Sequence, residues 1–563
     1  MPVRQDVSNA IRAALPDVDQ TVLDELPLVE FGRGDRGDLV TPIAMPLAKR
    51  IGGNPRELAE RIAGVIREKS GELDEFVDRV EVAGPGFINI YLTRHFWEGL
   101  IRTILAKGPR YGRSKIGQRR KVQLEFASAN PTGPLSVAHG RQAALGDVLA
   151  NIMTQTGFDV STEYWVNDCG NQIGKLGESV YVRYLHALGE RSREFPADGY
   201  QGEDIRDLGA DIAAKEGRKY ADMPPEQAVA ELGRLASDRI LAGIIADFKR
   251  FGIQHHTVFS QRTFESEGHV ENLLERMHDL GLTYEKDGAV WMKTSDYGDE
   301  KDRVLVKSDG TWAYRLSDIA YHEDKFTRGF ELVVDMFGPD HHGHTITMQS
   351  AMKALGHPVE TVRFLTVQHC TIIRDGEKIK MSTRAGKIIS LDEVIEEVGV
   401  DVARFIFLTQ KPDSHLDFDL ELVKQESLDN PVYYIQYAHA RIASIIRKAQ
   451  EQGLIDPAEM SRGVYTNGDS THLGELEDRD IGLVKKLARF QSVLEKAGTE
   501  LEPHRLTNYL SELAAEFHNY YTHCVVIGDD RALTLARLQL VSAVRVVLAN
   551  ALHLLGVHIP ETM

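Results

Sequence analysis

Cysteine is nearly missing: Cys169, Cys370 and Cys524 are the only three in 563 residues. They are widely scattered and make no CxxC pair, so neither a disulfide framework nor a structural zinc site is expected, and a reducing, cytoplasmic compartment fits. Long apolar runs are missing too. The most apolar region, 535 to 559, is interrupted by Arg537, Gln539, Arg545, Asn550 and His553 and reads as a packed helix, not a membrane span. The first fifteen residues carry Arg4, Asp6 and Arg12 among apolar positions, which predicts an amphipathic helix without a signal-peptide core. Positive charge is in deficit: 66 Lys and Arg stand against 84 Asp and Glu, a net charge of −18. On its face this opposes a nucleic-acid partner, because phosphate binding needs local positive potential. Only small basic clusters (Arg119 to Lys121, Arg33 with Arg36, and Arg441 with Arg447 and Lys448) offer such a track, and composition reads them as solvated charge. No internal repeat is present.

A hydrophobic fraction of 42% with 27% charged residues is that of a globular chain, long enough for roughly three to five domains. Residues 1 to 110 read as a small α/β unit. Its clearest helix has Asn54 as cap, Pro55 at the first helical position and Glu57 three residues on, with Leu58, Ile62, Val65 and Ile66 on one face. Residues 108 to 120 read as a linker. From 121 to 147 the alternation of Val122, Leu124 and Phe126 predicts a strand, Pro131, Gly133 and Pro134 break it, and Ala143 to Leu145 favour a helix. His139 and Arg141 fall in the first turn of that helix. Such a turn aims unpaired N–H groups and the positive end of the helix dipole at an anion above the strand. It is also what any parallel sheet contains. A polar, helix-rich insertion is expected from about 175 to 290, and ELVVDMFG (331 to 338) and VRFLTVQHC (362 to 370) read as further buried strands. FGIQHHTVF is strand-like, with His255 and His256 structural. Ser390 with Glu393 forms a capping box, and beyond Asn430 the pattern is helical up to Gly556 as a C-cap with Pro560 after it.

Residues 380 to 384, KMSTR, follow the hairpin-type pair Asp375–Gly376, and Ser136 to His139, SVAH, open the helix described above. Together they resemble the HIGH and KMSKS signatures of class I aminoacyl-tRNA synthetases. NPVYYIQYAHAR (430 to 441), KSDGTWAYRLSDIAY (307 to 321), YWVNDCGNQ (164 to 172), GDLVTPIAMPLAK (37 to 49) and AGPGFINIYL (83 to 92) narrow the resemblance to arginyl-tRNA synthetases, over nearly the whole chain. The resemblance implies a multidomain α/β architecture. A Rossmann-type (HUP-like) parallel-sheet catalytic domain would span 111 to 375 and a signature-loop and stem-contact connection 376 to 429. They would be flanked by an N-terminal α/β domain at 1 to 110, touching the tRNA elbow, and an all-α anticodon-binding bundle at 430 to 563.

By the same resemblance the chain is a monomeric arginine–tRNA ligase. It would use ATP, with Mg²⁺ carried by the nucleotide and no zinc, to make arginyl-adenylate from L-arginine, then pass arginine to the 2′-hydroxyl of the terminal ribose of tRNA(Arg). The alternative is a catalytically degenerate RNA-binding relative. ATP would meet Pro134, Ser136, Ala138, His139, Gly338, Asp340, Lys380, Met381 and Ser382, with His139, Ser136, Lys380 and Arg384 carrying catalysis. Ser136 and Ala138 depart from the family's histidine and glycine. Thr383 replaces its second lysine, which leaves Arg384, Lys387 and Lys380 to neutralise pyrophosphate. A guanidinium presents five donors in a planar fork, so a selective pocket needs a well-placed carboxylate. Tyr314 and Asp318, four apart on one helical face, fall on the family's guanidinium-reading positions, and Glu125, Ser128, Asn130 and His341 on further arginine contacts. GPDHHGH (338 to 344) invites a metal reading, but the resemblance puts it at the substrate side. Tyr433, Tyr434 and Tyr437 stand where bases could stack, or as core aromatics, with Arg441 beside them on the tRNA side.

Overall fold

The structure, a computed structural model, describes residues 2–563 apart from 27, 33–35, 69–71, 192, 380–388, 426–428 and 456–469. At its centre is a sheet of five strands: β1 (Lys121–Glu125), β2 (Asp159–Val166), β3 (Thr257–Ser260), β4 (Leu332–Phe337) and β5 (Val362–Thr366). They lie in the order β5-β4-β1-β2-β3 and every neighbouring pair is parallel. Val122, Gln123, Leu124 and Glu125 are all buried, as expected of a strand covered on both faces. Helix α1 (Val137–Gln155) carries the chain from β1 to β2. The strand order reverses between β1 and β4, so a crevice opens beyond their C-terminal ends, the usual ligand position in such sheets. The two segments that leave those ends are the Pro/Gly loop before α1 and the Gly338–His344 stretch.

Between β2 and β3 stand three helices, Asn171–Ala187, Glu203–Glu216 and Pro225–Arg250. The first and third cross closely at Gly177, where an added Cβ would lie 2.2 Å from the Val229 carbonyl oxygen. Strand β3 falls inside the stretch expected to be insertion. It pairs with β2 from Glu163↔Thr257 onward and overlaps the end of the strand-like FGIQHHTVF. His255 and His256 are structural: His255 Nε2 lies 3.2 Å from the Phe126 carbonyl, and His256 Nδ1 accepts from the Thr162 N–H at 2.9 Å. A three-stranded antiparallel sheet (Thr283–Lys286, Ala289–Met292, Arg303–Val306) precedes α2 (Tyr314–Thr327), and β4 leads into α3 (His342–Ala354).

The N-terminal unit packs helices Pro2–Ala14 and Pro55–Glu68 on a four-stranded antiparallel sheet. Asn54 Oδ1 accepts from the Arg56 N–H at 2.9 Å, and Ala59, Ile62, Ala63 and Ile66 bury the expected face. Residues 108–112 are sealed onto the C-terminal helices, and 114–120 bond to the end of α1 and the start of β2. Tyr111 stacks on Phe490 at 6.0 Å and its hydroxyl donates to the Leu487 carbonyl, while Asn550 Nδ2 donates to the carbonyls of Gly108 and Tyr111 at 3.0 and 3.1 Å.

After the helix α4 (Leu391–Val398), capped by Ser390 and Glu393, the C-terminal part contains α5 (Pro431–Glu451), α6 (His504–His523) and α7 (Arg531–Leu555). Helix α7 is long and apolar enough to cross a membrane, yet most of it is buried inside the protein. It ends at Gly556, whose φ of 64° suits glycine. The buried Arg404 closes that end: Nε donates to the Leu555 carbonyl at 2.9 Å, Nη1 to the Phe251 carbonyl at 3.0 Å, and Nη2 pairs with Asp147 of α1. Asn151 of α1 adds a bond to the Leu554 carbonyl at 3.2 Å. Replacing Arg404 with Met strands the Asp147 carboxylate and two carbonyls, so it lowers stability by about 3–5 kcal/mol. The urea midpoint measures this; an unchanged midpoint contradicts the closing role.

Candidate active site

The crevice beyond β1 is shaped first by a strained loop. Ala127 is fully buried at φ 55°, a conformation costing an alanine on the order of 1–2 kcal/mol. It is held by neighbours on β2: Tyr164 Oη donates to the Ala129 carbonyl at 2.6 Å, and the Trp165 N–H to Ser128 Oγ at 3.0 Å. At the start of α1, the Ser136 N–H donates to His139 Nδ1 at 3.1 Å, and Ser136 Oγ is equally close to that atom. A backbone N–H can only donate, so Nδ1 is an acceptor and the ring proton sits on Nε2. Burial lowers the His139 pKa to about 4, so the ring is a neutral donor at pH 7. Ser136 thus orients His139. Pro134 and Ala138 stand in the same turn, and Leu391 closes over it, its N–H donating to the Leu135 carbonyl at 2.8 Å.

Arg141 differs from the expectation of a phosphate-seeking first turn. Two residues beyond His139 it faces away, fully buried, and its Nη1 and Nη2 donate to the carbonyls of Gln368 and Lys411.

The second wall is α2. Asp318 is buried, and its Oδ2 has no hydrogen-bond partner among the described residues; His344 Nε2 is 3.5 Å away. Burial and the nearby Glu125 raise the Asp318 pKa well above the carboxylate range. Tyr314 lies at the mouth, 56% exposed, its hydroxyl against Asp318 and Asn167 and its ring 6.1 Å from that of His344. Asn167 Nδ2 donates to Asn130 Oδ1 at 2.8 Å and Trp165 Nε1 to Asn167 Oδ1 at 2.9 Å. Glu125, Ser128, Asn130, Tyr314 and Asp318 therefore share one pocket. Sequence reasoning overlooked His344 and Asn167, although both lie within the stretches singled out.

Beneath them lies a buried charge array. Lys325 Nζ donates to Glu125 Oε2 and Asp335 Oδ1, each at 2.8 Å, and Ser128 Oγ donates to Glu125 Oε1 at 2.9 Å. His322 Nε2 lies 2.6 Å from Asp335 Oδ2, and its Nδ1 2.7 Å from the Asp318 carbonyl. Burial pushes both carboxylates up. Lys325 and His322 overcome this at Asp335 and lower its pKa, whereas Glu125, with Asp335 beside it, stays raised. Asp318, His322 and Lys325 recur at i, i+4 and i+7, which is the helical signal for this face.

Gly338 and the exposed Asp340 follow β4 in a single 3₁₀ turn, Pro339–His341. Lys380, Met381, Ser382, Thr383, Arg384 and Lys387, and the side chain of His341, lie outside the described residues. Far from the crevice, α5 and α6 present an aromatic and cationic face. Tyr433 and Tyr437 stack at 6.1 Å, Tyr437 and His518 at 5.8 Å, and the Arg441 guanidinium sits 4.5 Å over Tyr437 and 4.8 Å over Tyr521. The adjoining cleft of about 320 Å³ is lined by Tyr437, Arg441, Ser444, Lys448, Tyr521 and Met563. Tyr434 instead packs on His518 at 4.4 Å.

Lys325 is the one buried cation that both Glu125 and Asp335 touch, so Lys325→Met destabilises the chain by about 3–5 kcal/mol at pH 7. Asp335, with its pKa depressed by folding, contributes stability above the ordinary carboxylate pKa of about 4 and loses it as pH falls. The difference between wild type and variant in guanidinium unfolding is therefore largest at neutral pH and shrinks in acid. A difference independent of pH contradicts the array.

Three family models match the chain: the arginyl tRNA synthetase N terminal domain over residues 3–92, the catalytic domain of class I (R) tRNA synthetases over 100–416, and the DALR anticodon binding domain over 435–563. An arginine–tRNA ligase of Syntrophotalea carbinolica is 43% identical over 100% of this chain and 99% of its own length. One of Carboxydothermus hydrogenoformans is 44% identical over 98% and 97%. The Thermus thermophilus arginyl-tRNA synthetase superposes with a TM-score of 0.76 at 22% identity, covering all of both chains. With the parallel sheet, the crevice at its switch point and three matched domains in order, this chain belongs to the arginyl-tRNA synthetases.

Proposed function

We propose that the chain activates L-arginine with ATP and transfers it to tRNA(Arg), and that Asp318 reads the guanidinium. The observation that carries this reading is the buried Asp318 Oδ2, which lacks a partner at the head of a pocket where Glu125 is already engaged by Lys325 and Ser128. A guanidinium supplies the missing donors and charge in one planar group. Lysine, a single point donor, leaves part of the acceptor set unfilled. Tyr314, Asn130 and Ser128 complete the substrate wall, with His341 beside them on the likeness of sequence alone.

In the first step an arginine carboxylate oxygen attacks the α-phosphorus of ATP, a new P–O bond forms and the bond to pyrophosphate breaks. In the second, a ribose hydroxyl of the terminal adenosine attacks the activated carbonyl and AMP departs. Neither step needs an enzyme nucleophile, so rate comes from positioning and from charge stabilisation. His139 Nε2–H donates to a phosphate oxygen as a neutral group, oriented by Ser136. Pro134, Ala138, Gly338 and Asp340 border the nucleotide. Lys380, Met381, Ser382 and Arg384 are assigned to the phosphates on sequence likeness. Magnesium is carried by the triphosphate, whose oxygens and waters supply most of its ligands. Tyr433, Tyr437 and Arg441 form a stacking face for tRNA bases. The family reading adds a monomer working in the cytoplasm.

Charging total tRNA with each of the twenty amino acids in turn tests the reading: arginine alone is incorporated, and equal use of lysine overturns it. Asp318→Asn lowers kcat/KM for arginine roughly 10²- to 10³-fold with the KM for ATP nearly unchanged, as measured by aminoacylation. Tyr437→Ala raises the KM for tRNA roughly tenfold and leaves that for arginine alone; the opposite pattern contradicts the stacking face.

A further inference from the structure

Arg141 follows the first signature but does not share its face: two residues from His139 is about 200° round the helix. It is 0% exposed, and among the described residues no carboxylate lies within ion-pair distance of it, Asp413 acting only from farther off. Its charge is held instead by two carbonyl dipoles, Gln368 at 2.8 Å from Nη1 and Lys411 at 2.9 Å from Nη2. A cation buried this way is a costly means of filling space.

The two carbonyls belong to segments that run side by side. The Gln368 N–H donates to the Pro412 carbonyl at 2.8 Å and the Leu416 N–H to the His369 carbonyl at 3.3 Å. From there strands Cys370–Arg374 and Leu416–Asp419 pair in parallel, and the first turns at Asp375–Gly376 into Glu377–Lys378. The chain that leaves this sheet returns to α1 as well. Ser136 bridges Ser390, and Leu391 packs so closely on Gly140 that an added Cβ would lie 2.5 Å from its Cδ1.

We propose that Arg141 is a positioning residue for the nucleotide side of the reaction: its guanidinium fork fixes the small sheet against the first turn of α1 and so sets where that sheet stands relative to His139. The planar fork assigns one nitrogen to each carbonyl and so fixes their relative placement; a lysine ammonium, a compact charge on a flexible stem, does not hold the two in that fixed geometry. The inference rests on the function proposed above, in which His139 meets a phosphate.

The test is steady-state aminoacylation of tRNA(Arg) by the full chain carrying Arg141→Lys, titrating ATP, arginine and tRNA separately. Circular dichroism at the assay temperature gives the folded fraction, and thermal midpoints give the stability. The expected result is a loss of roughly ten- to a hundredfold in kcat/KM for ATP, with the KM for arginine and for tRNA within about twofold of wild type. Gly140→Ala, which displaces Leu391 on the return path, reproduces the same ATP-selective loss and carries the test if Arg141→Lys does not fold. Equal losses for all three substrates, or wild-type kinetics with only a lower thermal midpoint, overturn the proposal. An inactive wild-type chain instead refutes the functional reading, independently of Arg141.

Discussion

Glu125, Asp318 and Asp335 converge at the C-terminal ends of β1 and β4 and on the facing turn of α2, where all three are buried. Carboxylates so placed repel one another and lose hydration, so the arrangement stands only because Lys325, itself fully buried, bridges Glu125 and Asp335 and His322 Nε2 faces the second oxygen of Asp335. One ammonium cannot offset three buried carboxyl groups, and the Asp318 pKa stays well above the carboxylate range. The remaining deficit is at Asp318, where, on the function proposed above, a substrate cation completes the balance. On the function proposed above, selectivity for a flat, permanently charged side chain arises from this incomplete ion-pair network.

Helix α1 relates that pocket to the rest of the molecule. Its first turn orients His139, Gly140 admits Leu391, Arg141 grips the small sheet beyond β5, and Asp147 and Asn151 reach the end of α7 through Arg404 and the Leu554 carbonyl. A single rigid element therefore touches the activation site, the sheet that flanks it and the last helix of the C-terminal bundle. Residues 108–112, sealed under Phe490 and Asn550, tie the N-terminal unit to the same bundle.

What could be read from the sequence follows from how local each signal is. The Ser390–Glu393 cap, the helix after Asn54, the glycine stop at 556 and the strands at 121 and 331 depend on neighbours within a few residues. Helical spacing puts Tyr314 and Asp318 on one face, but only the family likeness marks them as substrate-facing; spacing alone reads Asp318 as a surface carboxylate and Tyr314 as a core residue. Arg141 was misleading because its partners lie 227 and 270 residues away, and no local pattern distinguishes a phosphate-seeking arginine from one that holds distant carbonyls. Lys325 reads as an ordinary helical lysine until β1 and β4 bring Glu125 and Asp335 to it. Strand β3 shows itself only as the end of the strand-like FGIQHHTVF, and the Gly/Lys/Arg-rich stretch at 108–120 resembles a free linker until Tyr111 finds Phe490. His344 stood in a conspicuous histidine cluster, but the turn of α3 that points it at Asp318 is a tertiary fact.

A crystal structure of the chain with L-arginine and a nonhydrolysable ATP mimic tests the central claim most directly. The account predicts guanidinium nitrogens within hydrogen-bond distance of Asp318 Oδ2, with Lys325 still bridging Glu125 and Asp335. A guanidinium turned out to solvent, or seated with Asp318 still lacking a partner, would contradict it.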